Sequence, residues 1–467
     1  MSLRARAEYR DASYKTPGGP APILVCICIP TMAIPLHRQP FKGLYIAYIV
    51  LSLVLVRLPF WGILYLLPAG RPRRAWTYTR ALTVSLVRLY ADTLGDTLAW
   101  RDTVYASGYF EREEDKHGLV WVDPAPWMVR GEIRAYAETN GVAAVRVAGY
   151  WYGKRGLDGK VGQKAEPGEK VLFDLHSGGW VAGDASPKGP SAHICTAALK
   201  HLPEITRAFS LDYRLAVGAP HPASEHGGAF PSALVDAAAG FHYLVHTLGF
   251  APNNIIVCGA SCGGNLALAL VRLLRALSSE HEHEDARADE DEHADKDEDE
   301  YMYKYDVPGA LLLISPTADW GTSTRGAGSS FAQNEASDFV GGVWRGYVHR
   351  AWLGALPLEE AETNVWLSPA SLRLPQKDGE GEGTFRGFPR TFVQAGGAEM
   401  TLDGMRVLRD RMGRDLGGGE GGERVMYVEV PDGTHMVMAW AWHEPEASEC
   451  WARFAGWYRS LSLGGGK

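Results

Sequence analysis

The chain has 467 residues, of which 46% are hydrophobic and 15 are tryptophan, and its formal net charge is −8. It is too long for one ordinary domain and too apolar for a disordered chain, but it fits a single large globular unit of about 250 to 300 residues with appendages. Thirteen Asp and Glu fall between Glu280 and Glu300 against Arg287 and Lys296, which leaves the rest of the chain near neutral; no nucleic-acid partner is expected.

Residues 1–42 read as an N-terminal tail. Within it 22–35, with Cys26-Ile27-Cys28-Ile29-Pro30, is apolar but short and broken by proline, which suits an interfacial or hairpin-forming piece. Residues 43–68 hold fifteen Leu, Ile, Val or Phe and a single charge, Arg57. At roughly 0.4 kcal/mol per large apolar residue, insertion gains about 6 kcal/mol against a cost of about 3 for an arginine at mid-depth. The stretch therefore reads as an uncleaved membrane anchor that crosses once, with a monotopic hairpin or soluble cap helices as alternatives. Arg71, Arg73, Arg74 and Arg80 lie just beyond it, while only Arg38 and Lys42 lie close before it. By the charge rule, the part of the chain beyond the anchor would be cytoplasmic. Residues 69–118 read as a helical cap or linker, since Leu82, Leu86, Leu89, Tyr90, Leu94 and Leu98 recur at helical spacing over 76–106.

From residue 119 the pattern changes. Extended runs at 119–122, 142–152, 171–175, 208–213, 255–258, 310–315, 391–394 and 425–430 alternate in the later part with helical runs at 229–248, 261–276 and 402–412. This alternation predicts a mostly parallel sheet with helices on both faces and a catalytic domain over 119–463. The acidic run, bounded at 279–301, cannot bury apolar surface and reads as a disordered insertion after a helix ending near Ser279. Its His281, His283 and His293 read as loop residues rather than a metal tract. Cys26, Cys28, Cys195, Cys258, Cys262 and Cys450 show neither a C-x-x-C pair nor regular spacing, so no zinc site, disulfide framework or other metal centre is indicated.

Gly259-Ala260-Ser261-Cys262-Gly263 lies between the extended run ending at Cys258 and a helical run. A serine there occupies a sharp strand-to-helix turn, its flanking glycines leave room for the backbone, and its oxygen stands clear of the sheet. A serine hydroxyl is a weak nucleophile at neutral pH, so it needs a base, a group to orient the base and donors for a developing oxyanion. His435, after the last extended run, is the candidate base. Glu399, just after 391–394, is the candidate acid, with Asp403 as the alternative one helical turn later. The donors would be the backbone N–H groups of Gly178 and Gly179, in His176-Ser177-Gly178-Gly179-Trp180, and of Cys262. A cysteine nucleophile at 262 is the lesser reading. No cofactor is expected.

These motifs resemble the hormone-sensitive-lipase branch of the α/β-hydrolases, whose His-Gly-Gly-Gly appears here as His176-Ser177-Gly178-Gly179. The resemblance runs over roughly 119–460 and takes in Asp212-Tyr213-Arg214-Leu215-Ala216, His221-Pro222-Ala223, Phe230-Pro231-Ser232-Ala233 and Leu367-Ser368-Pro369. Three departures stand out. Ser177 replaces the first glycine, Glu399 stands where aspartate is more usual, and the acidic insertion is foreign to the pattern. With its apolar N-terminal segment the chain looks most like fungal steryl-acetyl-hydrolase-type esterases, which are anchored in the endoplasmic reticulum with their catalytic domain in the lumen. The resemblance implies hydrolysis of carboxylic esters of lipophilic alcohols, with a steryl acetate as the specific expectation. An acyltransferase on the same triad, or a non-catalytic binding protein on the same fold, are the rivals. Oligomeric state is not legible in the sequence.

Overall fold

The computed structural model describes residues 35–99, 114–189, 192–288, 305–340, 342–377, 380–381, 385–417 and 424–463. An eight-stranded sheet forms its centre: β1 (Leu119–Val122), β2 (Val147–Gly153), β3 (Lys170–Leu175), β4 (Ile205–Asp212), β5 (Ile255–Ala260), β6 (Ala310–Ile314), β7 (Arg390–Gly396) and β8 (Val425–Val430). Their spatial order is β1-β2-β4-β3-β5-β6-β7-β8. β2 runs antiparallel to both β1 and β4, and the remaining pairs are parallel. Parallel neighbours cannot be joined by tight turns, so the chain crosses back over the faces and buries both of them.

Among the helices, in chain order, are α1 (Phe41–Ser52), α2 (Leu58–Leu64), α3 (Tyr78–Thr97), α4 (Ala192–His201), α5 (Ser232–His242), α6 (Cys262–Ala288), α7 (Gly342–Leu353), α8 (Leu402–Leu416) and α9 (Glu446–Leu463). Side chains on a strand alternate between faces, and the packing obeys that period. Val171, Phe173, Leu175, Phe209, Val257 and Leu311 pack with residues of α5 and α6 on one side of the sheet. Leu172, Ile256, Cys258, Leu312 and Ile314 pack with α4 and α9 on the other. The mostly parallel α/β architecture is as the alternation predicts.

Some boundaries differ from those the sequence predicts. A helix at Gly131–Asn140 ends on Gly141 with φ 62°, so β2 begins at Val147 rather than at 142. α3 is shorter than the periodic stretch 76–106 and stops at Leu98, which takes a left-handed conformation. α6 continues to Ala288, past the expected end near Ser279. The extra turns contain Glu, Ala and Arg, good helix formers, and lengthening an established helix costs far less than starting one. The first part of the span read as a disordered insertion is therefore helical. Residues 289–301, and the tail segment 1–34, lie outside the described residues.

Phe209 illustrates how tightly the sheet is packed. Its ring lies 5.0 Å from that of Trp151 and 5.8 Å from that of Phe173, and a Cβ placed on Gly149 across the strand pair would collide with it. Replacing Phe209 with Ala is expected to lower the free energy of unfolding by about 3 to 5 kcal/mol, seen as a lower melting temperature in a thermal scan.

Candidate active site

Ser261 comes directly after β5 and opens α6 with φ +56°, a conformation that residues with a side chain rarely adopt. The strain is held by its surroundings. The Ser261 N–H donates to the Ile314 carbonyl at 2.9 Å, and its own carbonyl accepts the Thr317 N–H at 2.9 Å. A side chain on Gly259 would strike the Gly263 carbonyl, and one on Gly263 would strike the Leu175 and His176 carbonyls. The glycines of the pentapeptide are thus required by backbone that passes within contact distance.

β3 lies beside β5, so the loop that leaves β3 arrives next to the serine turn. In it the imidazole of His176 stacks on Tyr213 at 3.9 Å, and the Tyr213 hydroxyl donates to the His176 carbonyl at 2.6 Å. Gly178 and Gly179 have φ values of 125° and 62°, and a Cβ on Gly178 would collide with the Ala182 carbonyl. Ser177 is absent from the residues with left-handed backbone, so serine replaces glycine there without backbone strain. The Cys262 sulfur lies 3.6 Å from the Tyr213 hydroxyl. Burial pushes the Cys262 thiol up, opposed by that hydroxyl and by backbone N–H groups of Trp180, Gly179 and Gly263. The glycine loop and the residue after Ser261 are therefore neighbours, and the protonated thiol is a poor nucleophile.

His435 lies in the turn after β8 and Glu399 in the turn after β7, strands that are paired in register. His435 Nδ1 is 2.7 Å from Glu399 Oε2; facing a carboxylate, that nitrogen is the donor. The other oxygen, Oε1, accepts from Ser315 Oγ and from the Gly396 N–H, each at 2.6 Å. Glu399 has no solvent exposure and His435 has 5%. Burial raises the Glu399 pKa, while His435 and Ser315 oppose the rise. Asp403 faces elsewhere: its oxygens accept from the Ser330 N–H at 2.7 Å and from Arg406 at 3.3 Å. Of the two carboxylates that the sequence leaves open, Glu399 is the one bonded to His435. Ser315 also accepts the Met436 N–H at 2.8 Å and, through the Ile314 carbonyl before it, adjoins Ser261. The ends of β5, β6, β7 and β8 thereby gather the serine, the imidazole and the carboxylate into one corner.

Two supporting residues carry no motif. Ser315 follows β6 directly with φ +46°, and nothing in its sequence neighbourhood marks it except its place just after a strand, beside the Ser261 turn. His443 accepts the Thr434 N–H at 3.2 Å and pairs with the Thr434 hydroxyl at 2.6 Å, bracing the residue before His435. Burial depresses the His443 pKa to about 4, so the ring is neutral and able to accept. On the imidazole side, Phe339 presents its edge to His435 at 5.9 Å, and Trp440 stacks on Trp442 at 4.6 Å. By the glycine loop, Trp180 stacks on Trp352 at 4.6 Å. Among the described residues no group of three or more His, Cys, Asp or Glu is placed to hold a metal ion.

A family model described as alpha/beta hydrolase fold matches residues 172–439. An AB hydrolase superfamily protein of Schizosaccharomyces pombe is 34% identical over 110 residues, which cover 23% of this chain and 29% of that protein. The match thus spans less than a third of that relative. Among solved structures, an esterase/lipase from an uncultured bacterium is 19% identical with a TM-score of 0.50, covering 82% of this chain and 98% of the other. An esterase from the bacterial hormone-sensitive lipase family is 21% identical with a TM-score of 0.50, covering 83% and 99%. At these identities the likeness is one of fold.

Asp174 on β3, two residues before His176, is fully buried and accepts from Ser210 Oγ at 2.7 Å. Burial pushes its carboxyl from 3.8 up to about 7, against hydrogen bonds from Ser210, Cys195 and Cys258. The folded state then holds a proton that the unfolded state has released, so this carboxyl's contribution to stability is fully present below about pH 4 and is lost as the pH rises through about 7. Asp174→Asn removes this titration, and melting temperature measured against pH is expected to fall less steeply over that interval than in the parent protein.

Proposed function

The chain belongs to the α/β-hydrolase fold family, whose model spans residues 172–439, and from that premise we propose that it is a carboxylic-ester hydrolase acting through Ser261, His435 and Glu399. The observation that carries the proposal is the run of bonds from the His435 imidazole through Glu399 to Ser315, at the strand ends that also hold the strained Ser261. Strain at a non-glycine residue persists where the surrounding structure enforces it, and such positions cluster at functional sites.

In the proposed mechanism Ser261 Oγ attacks the ester carbonyl while His435 takes its proton. With Nδ1 engaged by Glu399, Nε2 is the nitrogen that acts as base. Glu399 orients the ring and stabilises it once charged. The N–H groups of Gly178, Gly179 and Cys262 bind the oxyanion, and loss of one such donor typically costs about 3 kcal/mol. His435 then protonates the leaving alcohol, and water activated by the same imidazole frees the acyl group from the serine. No cofactor takes part in these steps.

The leaving alcohol departs on the imidazole side, where Phe339 and Trp440 lie. That wall, together with the apolar helix at Phe41–Leu64, favours an ester of a lipophilic alcohol partitioned into a membrane, with a steryl acetate as the specific candidate. The proposed location is a membrane, that of the endoplasmic reticulum.

Ser261→Ala is expected to abolish both ester turnover and covalent labelling by a fluorophosphonate probe; hydrolysis that survives with labelling intact removes the assignment. Ser315→Ala leaves a buried carboxylate one donor short, a loss of roughly 1.5 to 3 kcal/mol, and should lower kcat/KM by about 10- to 100-fold in steady-state kinetics. Cleavage of short-chain p-nitrophenyl esters without any turnover of steryl acetates in detergent would exclude the sterol substrate and leave the esterase reading in place.

A further inference from the structure

The apolar helix at the N-terminal end of the described chain does not stand alone. α1 passes through a π-helical turn at Leu53–Arg57 into α2, and the combined helix lies antiparallel along α3. At one end the Tyr45 hydroxyl donates to Asp96. At the other, Gly62 lies beside the Tyr78 hydroxyl, and the Tyr65 and Ser85 hydroxyls are 2.8 Å apart. The contact uses one stripe: Ile49 and Tyr65 are buried, and Trp61 packs with Trp76 and Ala398. The rest of the circumference, including Leu44, Tyr48, Leu51, Leu55, Phe60 and Ile63, is exposed.

α3 is a different kind of helix. It carries Arg80, Arg88, Asp92 and Asp96, and it is fastened to the catalytic body. Arg80 makes a bidentate pair with Glu446 at 2.8 Å, Arg88 donates to the Glu335 carbonyl, and Trp76 just before α3 donates to the Asp432 carbonyl at 2.6 Å. Were α1 and α2 to cross a bilayer upright while packed this way, α3 would enter the hydrocarbon at the same depth with four charged side chains and the catalytic domain attached. Charges at that depth are strongly disfavoured. A helix exposed over most of its surface and backed by a soluble body meets both constraints by lying along the membrane.

We propose that α1 and α2 are embedded in the plane of one membrane leaflet, as a lipid-docking surface that holds the catalytic body against the bilayer without spanning it. The partner is a membrane with anionic headgroups. From Leu36 to Ala91 the sequence has eight Lys and Arg and no Asp or Glu, and exposed Arg38 and Arg74 sit beyond the two ends of the apolar helix, where cations meet headgroup charge. The docking surface is tied to the active-site loops. Arg73, between α2 and α3, donates to the Gly397 carbonyl at 3.2 Å, two residues before Glu399, and lies 3.4 Å from Asp432, three residues before His435. The inference deepens the membrane attachment proposed above, and it does not depend on which ester is cleaved.

Sidedness decides it. In sealed microsomes containing the full-length chain with Cys26 and Cys28 replaced by serine, three single reporters are compared: Gln39→Cys before α1, Ala75→Cys after α2, and Leu157→Cys on the catalytic body. All three are expected to react with a membrane-impermeant maleimide from the same side, whether that side is reached directly or only after permeabilisation. Gln39→Cys reacting from the side opposite the other two would overturn the proposal in favour of a span. In addition, Leu51→Glu with Leu55→Glu should weaken flotation with phosphatidylcholine–phosphatidylserine vesicles at least tenfold while leaving fluorophosphonate labelling unchanged. Unaltered flotation would also overturn it. Absence of fluorophosphonate labelling in the parent chain would count against the esterase reading alone, since the maleimide pattern is read without turnover.

Discussion

A carboxylate with no access to water must find its hydrogen bonds inside the protein, because an unpaired buried charge costs several kcal/mol. Glu399 finds its partners on separate segments: the Gly396 N–H at the end of its own strand, Ser315 at the end of β6, and His435 beyond β8. Satisfying this one group fixes the relative positions of three strand ends. The imidazole inherits its orientation from that network, and Ser315 passes the constraint on to Met436 and, through Ile314, to Ser261. The corner is thus held by one buried network whose members depend on one another.

The second constraint is crowding of backbone. Around the Ser261 turn the carbonyls of Leu175, His176 and Gly263 come so close that no Cβ fits at Gly259 or Gly263, and the turn at Gly178 is as tight against Ala182. Close approach is what allows N–H groups of the β3 loop to stand beside Cys262. The cost in strain at Ser261 is carried by the parallel sheet beneath, whose strands are buried on both faces and leave the turn little freedom to relax.

The N-terminal helices join this same region rather than the far side of the fold. Arg73 and Trp76 touch the loops that carry Glu399 and His435, and Trp61 and Trp442 pack in one cluster with Trp76 and Ala398. The apolar surface and the corner that holds Ser261, His435 and Glu399 are therefore joined by direct contacts. A lipophilic substrate lying in a membrane would meet the aromatic wall of Phe339, Trp440 and Trp442 close to the docking surface, which ties the proposed attachment to the proposed chemistry.

Local features were legible in the sequence because local physics sets them. The alternation of extended and helical runs, the glycines around Ser261 and the apolar stretch before residue 68 each reflect neighbours within a few residues, where sterics and hydropathy decide. The choice between Glu399 and Asp403 was not legible. Both come after β7 within a helical turn of each other, and only the fold turns one toward His435 and the other toward Ser330 and Arg406. Ser315 and His443 have no motif at all; the former acts on a residue 84 positions away. The continuation of α6 to Ala288 depended on helix already formed upstream. Composition identified the helix at Phe41–Leu64 as apolar enough for a membrane, but its placement along α3 rests on contacts such as Tyr45 with Asp96, and on Arg73 reaching Ser337 across 264 residues. The sequence by itself determined which elements form and which side chains can do chemistry, because those depend on short-range sterics and hydropathy. Only the tertiary structure decided which of those side chains meet, because hydrogen bonds and packing act between groups close in space however far apart they lie along the chain.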